Sequence, residues 1–143
     1  MKLFFLFCAT VIVVLFSSKT GTAKPHIQSK LNLSGEWHWG TKGADFDLTI
    51  IQKNDTINGS YCAVALNGHR IDCADSDTDN YCRITGILHG NSAIIIFNSA
   101  YDDTDLKDTA TITYNTKTKT LLWVWVQKNI VAYAPHNAIL YKR

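Results

Sequence analysis

The chain has 143 residues, 46% apolar and 18% charged, with two prolines and eight glycines. This suits one folded domain and excludes a disordered or low-complexity chain. The net charge of +2 rests on Lys2 and Lys19, since twelve basic and twelve acidic residues remain from position 24 onward; such a balance offers no basic footprint for nucleic acid.

After Met1-Lys2, residues 3–16 are apolar apart from Thr10, and the small residues Gly21-Thr22-Ala23 follow. A charged start, a short apolar run and a small-residue exit predict a cleaved secretory signal peptide over 1–23. The run falls short of the ~20 residues of a membrane span, so no span is expected in the mature chain. Residues 24–143 are then one exported domain, secreted or periplasmic.

That domain reads as short strands. Ser34-Gly35-Glu36-Trp37-His38-Trp39 alternates, as do Phe46, Leu48 and Ile50 with Asp45, Asp47 and Thr49. A turn at Lys53-Asn54-Asp55 leads into a strand over 56–66. Asn67-Gly68 then forms a two-residue hairpin signal before a strand over 69–73. With that turn, paired positions sum to 135, so Cys62 faces Cys73 in a hydrogen-bonded pair, within reach of a disulfide in an oxidising compartment. Cys82 is left as a free thiol, an intermolecular link or a competing partner for Cys73. Beyond the acidic stretch, strands are predicted over 83–88 and 92–98 around Gly90-Asn91. Further strands follow over 109–114, with Ala110, Ile112 and Tyr114 inward, and over 120–127 and 138–142. No window carries a helical apolar stripe. An antiparallel meander of about eight strands hides its edges best by closing, so the expected fold is an all-β up-and-down barrel, with a two-sheet β-sandwich as the alternative.

Leu33-Ser34-Gly35-Glu36-Trp37 resembles the opening strand of the calycin group, in which a Gly-x-Trp begins the barrel of avidins, lipocalins and bacterial periplasmic inhibitors of metalloproteases. Gly59-Ser60-Tyr61 is similar to the Gly-x-Tyr of avidin strands. The resemblance covers residues 33–61 and implies a barrel fold, without a ligand.

Trp37 with Trp39, and Trp123 with Trp125, each share a strand face, and together they are candidates for an aromatic pocket taking an apolar ligand or a sugar. The alternative is a packed core. Asp75, Asp77 and Asp79 have the spacing of a calcium loop. However, Asn80 replaces its glycine and Gly86 its glutamate, so no metal site is assigned. These acids, with Asp102, Asp103 and Asp105 and with His69 and Arg70 beside the hairpin, are candidates for docking a protein partner. His26, His38, His69, His89 and His136 are scattered, without a His-x-Glu-x-x-His or paired-cysteine zinc spacing, and Glu36 is the sole glutamate, so a two-carboxylate mechanism would have to use aspartates, nearly all of them in turn-like segments. His38 is expected to point to solvent. No catalytic residue and no cofactor is assigned. The leading expectation is an exported, non-enzymatic protein of inhibitor or immunity type that binds a secreted enzyme or toxin. A small-molecule carrier is the second reading, and an exported enzyme using Cys82 or an aspartate with a histidine is the third. Asn32, Asn54 and Asn58 open glycosylation sequons, relevant in a eukaryotic host.

Overall fold

Period-two alternation of apolar side chains builds the molecule. In the computed structural model, which describes residues 31–73, 82–102, 104 and 106–143, it yields nine strands and one short 3-10 turn. The proposed leader lies outside the described residues, as do Asp75, Asp77, Asp79, Asp103 and Asp105. The strands are β1 (Gly35–Thr41), β2 (Ala44–Lys53), β3 (Thr56–Ala65), β4 (Arg70–Cys73), β5 (Arg83–His89), β6 (Ser92–Phe97), β7 (Asp108–Asn115), β8 (Thr120–Trp125) and β9 (Asn137–Lys142). Each pairs antiparallel with its neighbours, and β1 meets both β2 and β9, which closes eight strands into a barrel. The ninth strand, β4, lies outside this ring. β3 pairs through Thr56–Ser60 with β5 and through Cys62–Ala65 with β4.

Closure leaves one inward face. Trp37, Phe46, Leu48, Ile50, Ile57, Tyr61, Ile84, Ile95, Phe97, Ile112, Leu121, Trp123 and Leu140 are buried there. At one end Leu33 also turns in, its carbonyl accepting the Trp37 indole N–H at 2.8 Å and its amide donating to Gln52 Oε1 at 2.8 Å. Gly59 permits the tight β2–β3 crossing. Its φ is 158°, and a Cβ there would stand 1.9 Å from the Thr49 carbonyl oxygen, so no other residue fits.

Cys62 pairs with Cys73 in register, and the two form a disulfide. The register agrees with the sequence count, but the turn differs. Leu66, Asn67 and Gly68 all have positive φ, and Ala65↔Arg70 is the last registered pair, so the loop holds four residues rather than two. Adding one residue at each side of the turn exchanges the two pair types along the ladder. The cysteine Cα atoms are accordingly 4.1 Å apart, the close spacing of a non-hydrogen-bonded pair. Closing this loop contributes about 3 kcal/mol on the chain-entropy view.

Candidate binding surface

The two poles of the barrel differ. Turns 54–55, 90–91 and 116–119 lie at one end; the connections 42–43, 66–69 and 126–136, with residues 98–102, lie at the other. Segment 126–136 has no regular secondary structure, yet it is pinned. It turns Ile130 and Ala134 into the core. Its alternate amides donate to three carboxylates from three parts of the chain. Asn129 N–H reaches Asp108 Oδ1 at 2.6 Å, Val131 N–H reaches Asp102 Oδ2 at 3.1 Å, and Tyr133 N–H reaches Asp72 Oδ2 at 3.0 Å. An extended strap exposes every second amide on one side, and here each finds its own acceptor.

Asp72 and Asp108 are fully buried. A buried carboxylate is tolerated when its lone pairs are filled by donors. Asp72 accepts from the Tyr61 hydroxyl at 2.9 Å, the Ser99 hydroxyl at 2.9 Å and the Cys82 thiol at 3.1 Å. It also accepts from the amides of Ala100 and Tyr133, each at 3.0 Å. Asp108 accepts the Trp125 indole N–H at 2.7 Å beside the Asn129 amide. Asp102 is different: at the surface, hydrogen bonds from the Thr104 hydroxyl and amide, and from Val131, hold its carboxyl below the usual range.

Cys82 is free and buried, which settles the alternatives left by the cysteine count. Burial first, and then its hydrogen bond to Asp72, push its thiol up to about 12. Burial, with the Asp72 charge, likewise raises the Tyr61 phenol. A group whose folded pKa is raised favours folding in its neutral form, so this stabilisation is complete below the thiol's ordinary 9.0 and is lost as pH rises toward 12. We expect the denaturation midpoint to fall from pH 9 upward and the slope between pH 9 and 10 to flatten in Cys82→Ala. An unchanged slope in that variant would show that folding does not raise the thiol.

Above this buried layer the same pole exposes aromatic and apolar groups. Tyr101 and Tyr133 meet edge to face at 4.7 Å. Arg70 Nε donates to the Tyr133 hydroxyl at 3.1 Å, and the Ile71 amide donates to the Tyr101 hydroxyl at 3.4 Å. Ile71 and Val131 are each 58% exposed and Tyr101 42%. His69 lies in the hairpin loop beside Arg70, its amide on the Leu66 carbonyl. Of the docking residues expected from sequence, His69, Arg70 and Asp102 are therefore gathered at one pole, with Asp102 already engaged by the strap. Tyr101 and Tyr133 were not expected.

The four tryptophans do not form one group. Trp37 lies against Tyr114 at 6.0 Å, with the Lys142 ammonium 5.5 Å from its ring. Trp123 packs on Phe46 and Phe97 at 5.1 and 5.4 Å, Trp125 packs on Phe97 at 5.5 Å, and Trp39 is half-buried at the core's edge. The indole N–H groups of Trp37, Trp123 and Trp125 are bonded to Leu33, Pro135 and Asp108. Comparison with protein-family models, with curated proteins and with solved structures finds no match to this chain.

Proposed function

We propose that the protein is an exported binding protein of inhibitor or immunity type, without catalysis of its own, that docks a secreted or periplasmic enzyme or toxin with its loop pole. One observation carries this reading: the Tyr101–Tyr133 pair, flanked by Arg70, Ile71 and Val131, is displayed on loops held in place by the buried Asp72 and the surface Asp102. Tyrosine and arginine dominate protein–protein hot spots, and a prefixed surface loses little freedom on binding. The leader-like start and the disulfide fit an oxidising exported compartment. The barrel is compatible with the calycin resemblance of its first strand, a group that includes inhibitors. A tryptophan-lined pocket draws less support, because the indoles are packed against neighbouring rings.

The test is recovery of a partner from the exported fraction on immobilised protein, with Tyr101→Ala/Tyr133→Ala as the comparison. We expect the double variant to bind at least ~30-fold more weakly, the size of a hot-spot loss. Binding should also weaken with salt as Arg70 and the pole's acids are screened. Recovery of no protein, or of one that the double variant retains fully, removes the reading.

A further inference from the structure

On the outer wall of the barrel, His38 of β1 stands opposite Asp47 of β2, with Asp45 two residues along the same strand face toward the 42–43 turn. His38 Nδ1 lies 2.8 Å from Asp47 Oδ1 and 3.4 Å from Asp45 Oδ1. Ligand atoms from all three side chains lie within 4.8 Å of one another, and all three are half-buried. We propose that these residues form a binding site for a divalent transition metal of the zinc type, with water completing the coordination.

The spacing suits that chemistry. Two ligands each 2.0–2.1 Å from a tetrahedral ion are about 3.3 Å apart; His38 and Asp45, at 3.4 Å, already have that spacing, and His38 and Asp47, at 2.8 Å, would open by about 0.5 Å as an ion enters. An imidazole with two carboxylates favours zinc over the all-oxygen shells of calcium or magnesium. The donors stand on two adjacent strands of a closed sheet, so little ordering is needed to bring them together. Gly40, facing Asp45 across the strands, keeps the cradle open. A Cβ there would crowd Asp45 Oδ2 at 3.1 Å and the His38 ring at 3.2 Å.

The cradle already attracts a cation. Arg143 lays Nη1 on Asp47 Oδ1 at 3.1 Å and places Nη2 2.8 Å from His38 Nδ1. When Nδ1 accepts from the guanidinium, its lone pair faces the same space as the carboxylate oxygens, which is the state a metal needs. Arg143 is half exposed, so it can swing out as the ion enters and acts as a competitor.

Zinc chloride titrated into the full chain by calorimetry, with the histidine ring resonances followed by NMR, tests the proposal. The expected result is one saturable equivalent that shifts the His38 ring. His38→Ala and Asp47→Asn should each weaken binding tenfold or more, whereas Arg143→Ala should tighten it severalfold. These outward-facing changes leave the core intact, and circular dichroism verifies the fold of each variant. Absence of saturable zinc binding by the wild type overturns the site, as does zinc binding undiminished in His38→Ala or weakened in Arg143→Ala. The experiment is independent of any protein partner.

Discussion

Asp72→Ala should cost the fold about 4 kcal/mol or more and loosen the loop pole before the rest of the barrel. The carboxylate serves Tyr61, Cys82, Ser99, Ala100 and Tyr133, which come from four separate stretches of chain. Alanine leaves four of these donors without their acceptor in a site closed to water, whereas the Tyr61 hydroxyl keeps the Asn98 carbonyl at 3.0 Å. A buried donor without a partner costs ~1–3 kcal/mol, and neighbours in one network do not add simply, so ~4 kcal/mol is the lower end of the sum. Against a typical total of ~5–15 kcal/mol, that is a large share. Asp72→Asn keeps the shape but turns an NH2 group toward donors, so it should recover less than half of the loss. Guanidinium unfolding followed by tryptophan emission measures the cost. Amide exchange should accelerate at Tyr133 while Ile112, in mid-strand, stays slow. A loss below ~1 kcal/mol for alanine would mean that the network is dispensable.

Phe97→Ala should be of similar severity for a different reason. The ring touches Tyr61 at 5.8 Å, Trp123 at 5.4 Å and Trp125 at 5.5 Å, and it is 1% exposed. Its neighbours stand on two other strands of a closed wall, β3 and β8, so they cannot collapse into the space left behind. Truncating a core phenylalanine costs ~3–5 kcal/mol when the site relaxes poorly, and this site belongs near the top of that range. Phe97→Leu keeps most of the volume and should cost ~1–1.5 kcal/mol. Near-UV dichroism should fall in the alanine variant as the two indoles lose their fixed surroundings. An alanine variant within ~1.5 kcal/mol of wild type would show that the barrel can contract around the gap.

The fold was legible because its signals are local. Alternation around Phe46, Leu48 and Ile50, and the turn residues at 53–55, 67–68 and 90–91, are enough to place the strands and the Cys62–Cys73 register, but not the pairing of β3 with β5 that leaves β4 outside the ring. The site was only partly legible. Asp108 shares the parity of Ala110 and Ile112, and Asp72 faces the buried Ala63, so the pattern carried a signal for both carboxylates. Reading an aspartate as a surface residue hid it. The strap gave no such signal, since the pairing of its amides with three carboxylates depends on how segment 126–136 crosses the pole. His38, Asp45 and Asp47 are a third case. Their grouping requires knowing which residues of β1 and β2 stand opposite, and a solvent-facing position was all that alternation could assign to His38.

The ring of strands is not fastened evenly. β1 and β9 share two registered pairs, Trp37↔Lys142 and His38↔Tyr141, whereas every other junction of the ring has at least five. Those two pairs tie together parts of the chain more than a hundred positions apart, so their loop entropy is the largest in the molecule and their return the smallest. The clasp therefore shuts last during folding, after a curled but gaping sheet has assembled. It is also where a transient opening begins, baring two strand rims that could pair with those of another molecule.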